Sequence, residues 1–197
     1  MKVFNKWSTD EIEVKDEGLR KYIGLEPVIV PKTGGKFSSS QHGKFKVNIV
    51  ERVITKLMVP GHRGKKHVIS SGRATGKYNL HYNTLKKAFE NIEKKTNKNP
   101  IGVLVHAIET AALREEIAAY QVGGIIVRKA VVTSPQRRID LALRTIVQSA
   151  YRKSFGKKMN MSEALADELI AASENDSSRS EAVKEKERIE REAEGAR

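Results

Sequence analysis

The sequence predicts a mainly α-helical fold: a bundle of about five to six helices with one protruding β-hairpin and an irregular N-terminal extension. Apolar residues recur at helical spacing through most of residues 44–176, which favours amphipathic helices. Residues 116–132 are rich in strand-forming side chains around Gly123-Gly124, and a glycine pair supplies the positive φ of a two-residue hairpin turn. We therefore expect an extension (1–43), a helical domain that carries the hairpin (44–176), and a charged helix or tail (177–197).

The N-terminal extension lacks a regular apolar period. Trp7 and Tyr22 are its candidate anchors on the domain, whereas the proline, glycine and serine residues of 31–43 predict a loose segment. The extension, the loop 61–77 and the tail hold few apolar residues. We expect all three to be mobile in the free protein, because so little apolar burial does not offset the entropy of ordering a chain.

The first two helices follow the extension. An apolar face at positions 49, 50, 53, 54, 57 and 58 predicts a helix that starts near Gly43 and ends at Pro60-Gly61. Residues 61–77 then form a basic loop with several glycines. The second helix is expected over about residues 79–96, where apolar residues again share one face.

Three further helices begin at recognisable capping signals. Asn99-Pro100 and Ser134-Pro135 each combine a capping side chain with proline at the first helical position, which tolerates the missing N–H. Asn160, with Glu163 three residues later, predicts a capping box at the start of the fifth helix. The tail from Ser180 onward would be marginal as a free helix, because it holds few apolar residues.

Positive charge is concentrated in the middle of the chain. The 197 residues carry a formal net charge of +13, and residues 41–100 hold 14 basic and 3 acidic groups, whereas residues 161–176 hold 0 and 5. Such an excess attracts a polyanion, so nucleic acid is the expected partner. No apolar run approaches the length of a transmembrane helix, so no membrane partner is expected. The lack of cysteine excludes a disulfide framework and is compatible with a reducing cytoplasm.

Arginine and lysine are distributed differently along the predicted elements. Arginines favour the ordered elements, where a planar guanidinium can bind phosphate through two hydrogen bonds, whereas lysines fill loops and helix ends. This distribution predicts specific docking of nucleic acid, with Arg137 and Arg138 on the solvent face of the first turn of the fourth helix. The candidate phosphate contacts on these grounds are Arg63, Lys65, Lys66, Arg73 and Lys77 in the loop, and Arg128, Arg137, Arg138, Arg144 and Arg152 on ordered elements.

The motifs that would indicate catalysis or metal binding are incomplete. Residues 72–78 approach a phosphate-binding loop, but Ser71 stands where the first glycine belongs and Tyr78 where a magnesium-binding hydroxyl belongs. The five histidines form no helical pair of the metal-binding type. We therefore expect no catalytic residue, no metal site and no cofactor, and the protein is predicted not to be an enzyme.

Six segments, taken in order along the chain, resemble one known family. They are residues 6–10, 19–23, 49–53, 99–105, 134–138 and 165–170. The sequence is similar to the small-subunit ribosomal protein seven family in its archaeal and eukaryotic form, which is called ribosomal protein five in eukaryotic small subunits. The resemblance covers nearly the whole chain.

This resemblance implies a structural constituent of the small ribosomal subunit, located in the cytoplasm. Family members bind the 3′ major domain of small-subunit rRNA, nucleate assembly of the subunit head, and lie near the exit site for tRNA and mRNA. Their neighbours are head proteins nine, thirteen and nineteen and platform protein eleven. The rRNA contacts of the family correspond to Lys44, Lys46, Arg52, Arg63, Lys65, Lys66, Arg114, Arg128, Lys129, Arg137 and Arg138. The hairpin tip that faces the exit site corresponds to Gln121, Val122, Gly123, Gly124 and Ile125.

Two other functions remain open on the residues alone. A free RNA- or DNA-binding regulator would use the same hairpin and helices, but it would not sediment with small ribosomal subunits. A phosphate-handling enzyme would show nucleotide turnover that the substitution Lys77→Ala abolishes.

Overall fold

The computed structural model describes residues 1–61 and 74–197, and the elements in these two segments are mainly α-helical, which confirms the predicted fold class. Helices α2 to α7 form the bundle, and strands β3 and β4 form the long hairpin. In chain order the elements are β1 (Lys2–Val3), β2 (Trp7–Ser8), α1 (Glu17–Arg20), a 3-10 turn (Gly43–Lys46), α2 (Ile49–Leu57), α3 (Tyr78–Thr96), α4 (Pro100–Ala111), β3 (Glu115–Val122), β4 (Ile125–Val132), α5 (Pro135–Ser154), α6 (Met161–Ser173) and α7 (Glu181–Glu194).

Helix α6 lies at the centre of the bundle. It packs against α3, α4 and α5, and Ala164, Leu165, Leu169 and Ala172 on α6 are fully buried. A helix that is surrounded by others has to be apolar around most of its circumference, whereas an outer helix needs one apolar stripe. The buried residues of α3, α4 and α5 do recur at the helical spacing that the sequence predicts.

Capping signals in the sequence locate the starts of α4, α5 and α6 correctly. Asn99 accepts the N–H of Ile101 through its side-chain oxygen at 3.1 Å. The N–H of Asn160 donates to the Glu163 carboxylate at 3.4 Å, as expected for the predicted capping box. Helix α5 starts at Pro135 even though no side-chain capping bond precedes it, because proline already has the φ that a first helical residue needs.

The first helix of the bundle starts later than the apolar pattern predicts. Residues Gly43–Lys46 form a 3-10 turn, and α2 begins at Ile49. Asn48 caps α2, since its side-chain oxygen accepts the N–H of Val50 at 2.9 Å. Asparagine binds nearby backbone N–H groups and therefore favours helix starts over helix interiors, which is the signal that the pattern missed.

The N-terminal extension is part of the same core, so the premise that it buries little apolar surface is wrong. Phe4 and Trp7 are buried and make edge-on ring contacts with Phe89 of α3, at centroid distances of 5.9 and 5.6 Å. Leu19 on α1 is fully buried, and Tyr22 packs partly buried against the core. Trp7 and Tyr22 are therefore anchors, as predicted, and the burial argument for mobility fails for this part of the chain.

Helix α7 docks onto the bundle, so the same premise is wrong for the tail. Ala182 and Val183 on α7 are buried. The start of α7 is held by Glu168 of α6, a fully buried carboxylate that accepts hydrogen bonds from Ser180 Oγ at 2.8 Å and from Lys153 Nζ at 2.5 Å. Tertiary packing of an apolar face stabilises α7 where intrinsic propensity would not.

The long hairpin has the turn that its glycine pair predicts. Strands β3 and β4 are antiparallel, with Val122 opposite Ile125 at the tip and Glu115 opposite Val132 at the base. Gly123 and Gly124 have φ values of 55° and 89°, the left-handed region that a primed two-residue turn requires. The hairpin packs against α7, and the residues at its tip are exposed.

Candidate nucleic-acid interface

Three basic side chains from separate parts of the chain line one cleft between α2 and α5. Lys44 comes from the 3-10 turn, Lys56 from the last turn of α2, and Arg144 from the middle of α5. The cleft, which we call the basic cleft, has a volume of about 480 Å³. Sequence reasoning missed Lys56, although its position four residues after Arg52 places both on one face of α2. The rest of the lining consists of Thr55, Val59, Val147 and Gln148.

Asp140 of α5 is the carboxylate that binds Lys44 of the basic cleft and the buried Arg52. Its oxygens accept hydrogen bonds from Lys44 Nζ at 2.5 Å and from Arg52 Nη2 at 3.2 Å. Arg52 also donates through Nη1 to the carbonyl oxygen of Tyr22 at 3.0 Å. These bonds connect the segment after α1 to α2 and α5. The Arg52 side chain is only 4% exposed. The Arg52 guanidinium is therefore not accessible in this conformation for the rRNA contact that the resemblance implies.

The basic cleft carries a surplus of positive charge. Burial lowers the pKa of Lys56, and the positive charges of Lys44 and Arg144 lower it further, against the opposing attraction of Asp140. Burial raises the pKa of Asp140, but the hydrogen bond from Lys44 and the charge of Arg52 outweigh burial and bring the pKa below its usual range. Because three cations and one carboxylate act on Lys56, a bound anion would relieve the repulsion among the cations. The arrangement is chemically suited to a phosphate group.

The hairpin presents its two cations on opposite faces. Arg128 lies across the ribbon from Ala119, and Lys129 lies across from Ala118. Consecutive residues of a strand point to opposite faces, and both cations are exposed beside their small neighbours. The ribbon can therefore contact negative charge on either side.

The tip of the hairpin carries an apolar patch. Two cross-strand pairs, Tyr120 with Val127 and Val122 with Ile125, lie on one face of the ribbon. All four side chains are exposed, Ile125 by 71%. Exposed apolar patches of this kind usually mark a contact with a partner. The residues expected to face the exit site, Gln121, Val122, Gly123, Gly124 and Ile125, are all exposed.

Two consecutive arginines at the start of α5 have different environments. Arg137 is 56% exposed and binds both oxygens of Glu116, at 2.5 and 2.7 Å, which raises its pKa. Arg138 is 12% exposed and donates to the carbonyl oxygen of Leu113 at 2.8 Å and to Asp16 at 2.7 Å. The prediction that both side chains face solvent is therefore wrong for Arg138, because its guanidinium links the N-terminal segment to the hairpin base.

The other predicted contacts are not gathered at the basic cleft. Arg152 forms an ion pair with Glu181 of α7 at 2.5 Å. Lys46, Lys77 and Arg114 are exposed. The loop residues Arg63, Lys65, Lys66 and Arg73 lie outside the described residues. The structure thus brings Lys44 and Arg144 together with Lys56, with the buried Arg52 bound to Asp140 beside Lys44.

The described residues contain neither a cluster suited to a metal ion nor a helix suited to crossing a membrane. Among residues 1–61 and 74–197, no group of three histidine, cysteine or acidic side chains is placed to hold a metal ion. In the same residues, no helix has the length and apolar character needed to cross a bilayer. Glu109, which lies 3.6 Å from His106 Nδ1, accepts the backbone N–H groups of Lys15 and Asp16 at 2.6 and 3.0 Å. Its carboxylate therefore fixes the N-terminal segment.

A cationic cleft between helices and a projecting hairpin with exposed arginine and lysine are typical of the class of nucleic-acid-binding proteins. The sequence pattern of the family described as "Ribosomal protein S7p/S5e" matches residues 19–197. The chain belongs to this family, as the resemblance of its motifs implies. Members of the family are structural and non-enzymatic, so family membership confirms that the chain is not an enzyme.

Archaeal relatives match the chain over its full length. The small ribosomal subunit protein uS7 of Nanoarchaeum equitans is 46% identical over 197 residues, which cover 100% of this chain and 99% of the relative. The protein of the same name in Archaeoglobus fulgidus is 48% identical over 195 residues, or 99% of this chain and 94% of the relative. That of Methanococcus aeolicus is 43% identical over 197 residues, or 100% and 99%. The chain is therefore of the archaeal type.

Proposed function

We propose that this chain is a structural constituent of the small ribosomal subunit in the cytoplasm and that it binds small-subunit rRNA. The family match and the names of the full-length archaeal relatives support the ribosomal role. The net charge of +13 and the basic cleft support the RNA-binding role. The finer assignment, binding to the 3′ major domain and nucleation of the subunit head, is supported by the resemblance described above.

The surplus of positive charge in the basic cleft is the observation that supports an rRNA contact there. Lys44, Lys56 and Arg144 line the cleft, and Asp140 binds Lys44 and attracts Lys56. A phosphodiester in the cleft would supply the missing negative charge and release bound counterions into solution. The buried Arg52 binds Asp140, which in turn binds Lys44. Lys44 is therefore held near its binding position before RNA arrives, and less entropy is lost on binding.

The hairpin tip has a separate role in this proposal. It carries Tyr120, Val122 and Ile125 as exposed apolar side chains rather than cations, so its contact depends on packing more than on phosphate charge. We assign to it the approach to tRNA and mRNA at the exit site. Head proteins nine, thirteen and nineteen and platform protein eleven are the proposed protein neighbours, on the strength of the family resemblance.

Sedimentation of a cell extract tests the ribosomal role directly. At low salt the protein should migrate with small subunits in a sucrose gradient, at the same molar amount as other small-subunit proteins. A free RNA- or DNA-binding regulator would stay near the top of the gradient or migrate with other nucleic acid. Recovery of most of the protein away from small subunits at low salt would contradict the proposal.

A further inference from the structure

A second cavity lies beside the basic cleft, between α5 and α7. We call it the α5–α7 groove. Its volume is about 330 Å³, at the lower end of the range of roughly 300–1,000 Å³ for small-ligand sites. Its apolar lining includes Leu113, Leu141 and Ile189. The groove is therefore large enough for one small organic group, and part of its wall is apolar.

Polar side chains in the same groove offer both donors and acceptors. Thr145, Gln148 and Arg152 lie on one face of α5, since they are three and seven residues apart. Helix α7 contributes Glu181, Glu185 and Lys186 to the opposite wall. A ligand edge that carries both hydrogen-bond donors and acceptors suits this mixture better than a phosphate, which accepts only.

The two helices are fixed at a separation that keeps the groove open. The ion pair of Arg152 with Glu181, at 2.5 Å, connects α5 to the first turn of α7. Lys186 Nζ donates to the carbonyl oxygen of Thr110 at 2.8 Å and so connects α7 to α4. The groove is therefore a preformed feature of the bundle.

The groove and the basic cleft share two residues of α5. Arg144 and Gln148 line both cavities, and their spacing of four residues places them one above the other along the helix. They form a ridge that separates the basic cleft from the partly apolar α5–α7 groove. Proteins that recognise unpaired RNA nucleotides commonly hold the backbone on a basic surface and the splayed base in a pocket.

We propose that the α5–α7 groove binds one unpaired nucleobase of the RNA strand whose phosphates lie in the basic cleft, an inference that rests on the proposed rRNA-binding function. The face of the base packs against Leu141 and Ile189, and its edge forms hydrogen bonds with Gln148 and Arg152. A segment of a partner protein is the other possible occupant of such a groove. Because the groove adjoins the basic cleft across Arg144 and Gln148, an RNA strand can occupy both cavities at once, which favours RNA over a protein segment.

Footprinting of the protein on transcribed small-subunit rRNA tests this proposal. Hydroxyl radicals report protection of the backbone by the basic cleft, and base-specific alkylation reports a base edge buried in the groove. The substitution Ile189→Trp fills the groove without a change in charge. It should make one protected base reactive and weaken binding about tenfold, as expected for the loss of one base contact, while backbone protection persists.

Matched variants separate the possible outcomes. Leu80→Trp, at an exposed position of α3, should change neither footprint. Gln148→Ala serves as a second test in case Ile189→Trp disturbs α7. It keeps the apolar lining and should also raise the reactivity of the same base. Unchanged base protection in folded Ile189→Trp would overturn the proposal. Impaired incorporation into subunits with an unchanged rRNA footprint would also overturn it, because this result would identify a protein segment in the groove. Absence of backbone protection by the unsubstituted protein would contradict the proposed function itself.

Discussion

The basic cleft and the hairpin tip present opposite kinds of surface. In the cleft, Lys44 of the 3-10 turn, Lys56 of α2 and Arg144 of α5 lie close together, and Asp140 binds both Lys44 and the buried Arg52. At the tip, Tyr120 and Ile125 are exposed apolar side chains on a two-stranded ribbon. We therefore expect affinity for a polyanion to reside mainly in the bundle, so that the tip can change without loss of this affinity.

Removal of the three accessible cleft cations should have the largest effect. The triple variant Lys44→Ala, Lys56→Ala and Arg144→Ala loses three charge-assisted contacts to phosphate, so rRNA affinity should fall by about a hundredfold or more. The slope of log affinity against log salt should become shallower by about 2–3, at roughly 0.7–0.9 for each phosphate contact. Filter binding across a salt series measures both quantities.

A variant with the same loss of charge provides the control for this prediction. Lys87, Lys94 and Lys98 are exposed on or just after α3, and their replacement by alanine removes three positive charges away from the cleft. If both triple variants lose affinity equally at every salt concentration, binding depends on net charge alone and the cleft has no special role.

Asp140→Asn should change stability and RNA binding in opposite directions. The buried Arg52 would lose its charged partner, so the free energy of unfolding should fall by about 2–4 kcal/mol. The cleft would gain one net positive charge, so the folded variant should bind rRNA more tightly than the unsubstituted protein. Urea denaturation and filter binding below the unfolding midpoint check the two effects. Weaker binding by the folded variant would mean that Asp140 orients the cations more than it neutralises them.

Arg138→Ala should destabilise the protein more than Arg137→Ala. Arg138 is mostly buried between Leu113 and Asp16. Its loss leaves the Leu113 carbonyl oxygen without this donor and breaks the ion pair with Asp16, at a cost of about 1–3 kcal/mol. Arg137 is exposed, and its pair with Glu116 should contribute less than about 1 kcal/mol. Urea denaturation of the two single variants measures the difference. Equal losses would show that Arg138 does not link the hairpin base to the N-terminal segment.

Acid should reveal the contribution of Asp140 to stability. Its pKa is lower in the folded protein than the value of about 3.9 expected when the chain is unfolded. The stabilisation is therefore complete above the unfolded value and is lost as pH falls through the folded value. Between about pH 5 and pH 2, stability of the unsubstituted protein should decline more steeply than that of Asp140→Asn. Parallel stability curves in urea over this range would remove Asp140 from the explanation.

Local signals in the sequence predict most of the fold. Asn99-Pro100, Asn160 with Glu163, and Gly123-Gly124 each act through the backbone of the residues next to them, so they remain valid without knowledge of the tertiary structure. Apolar spacing likewise predicts the buried faces of α3, α4 and α5. These features depend on hydrogen bonds and periods within one element.

The candidate site is harder to predict, because it depends on contacts between elements that are distant in sequence. Arg52 and Arg138 look like surface arginines until Asp140 and Asp16 are brought beside them, 88 and 122 positions away. Lys56 becomes a candidate contact once α2 packs against α5 and places it near Lys44 and Arg144. A pattern of basic residues therefore predicts that a chain binds a polyanion, whereas burial decides which of those residues can reach it.

Shortening the hairpin should have the smallest effect on rRNA affinity. Ala119 and Arg128 are opposite each other in the ribbon, so a new two-residue turn can join them directly and remove the exposed tip while the base of the hairpin keeps its register. Because the tip contributes apolar side chains and none of the cleft cations, affinity for rRNA and thermal stability should stay within about twofold and about 0.5 kcal/mol of the original values. Subunits reconstituted with this variant should instead retain deacylated tRNA less well or show altered reading-frame fidelity in translation. A full-length variant with Tyr120→Ser and Ile125→Ser separates loss of the apolar patch from loss of ribbon length. If the short hairpin abolishes rRNA binding and leaves translation by assembled subunits unchanged, the tip is an assembly element and the contrast with the basic cleft is wrong.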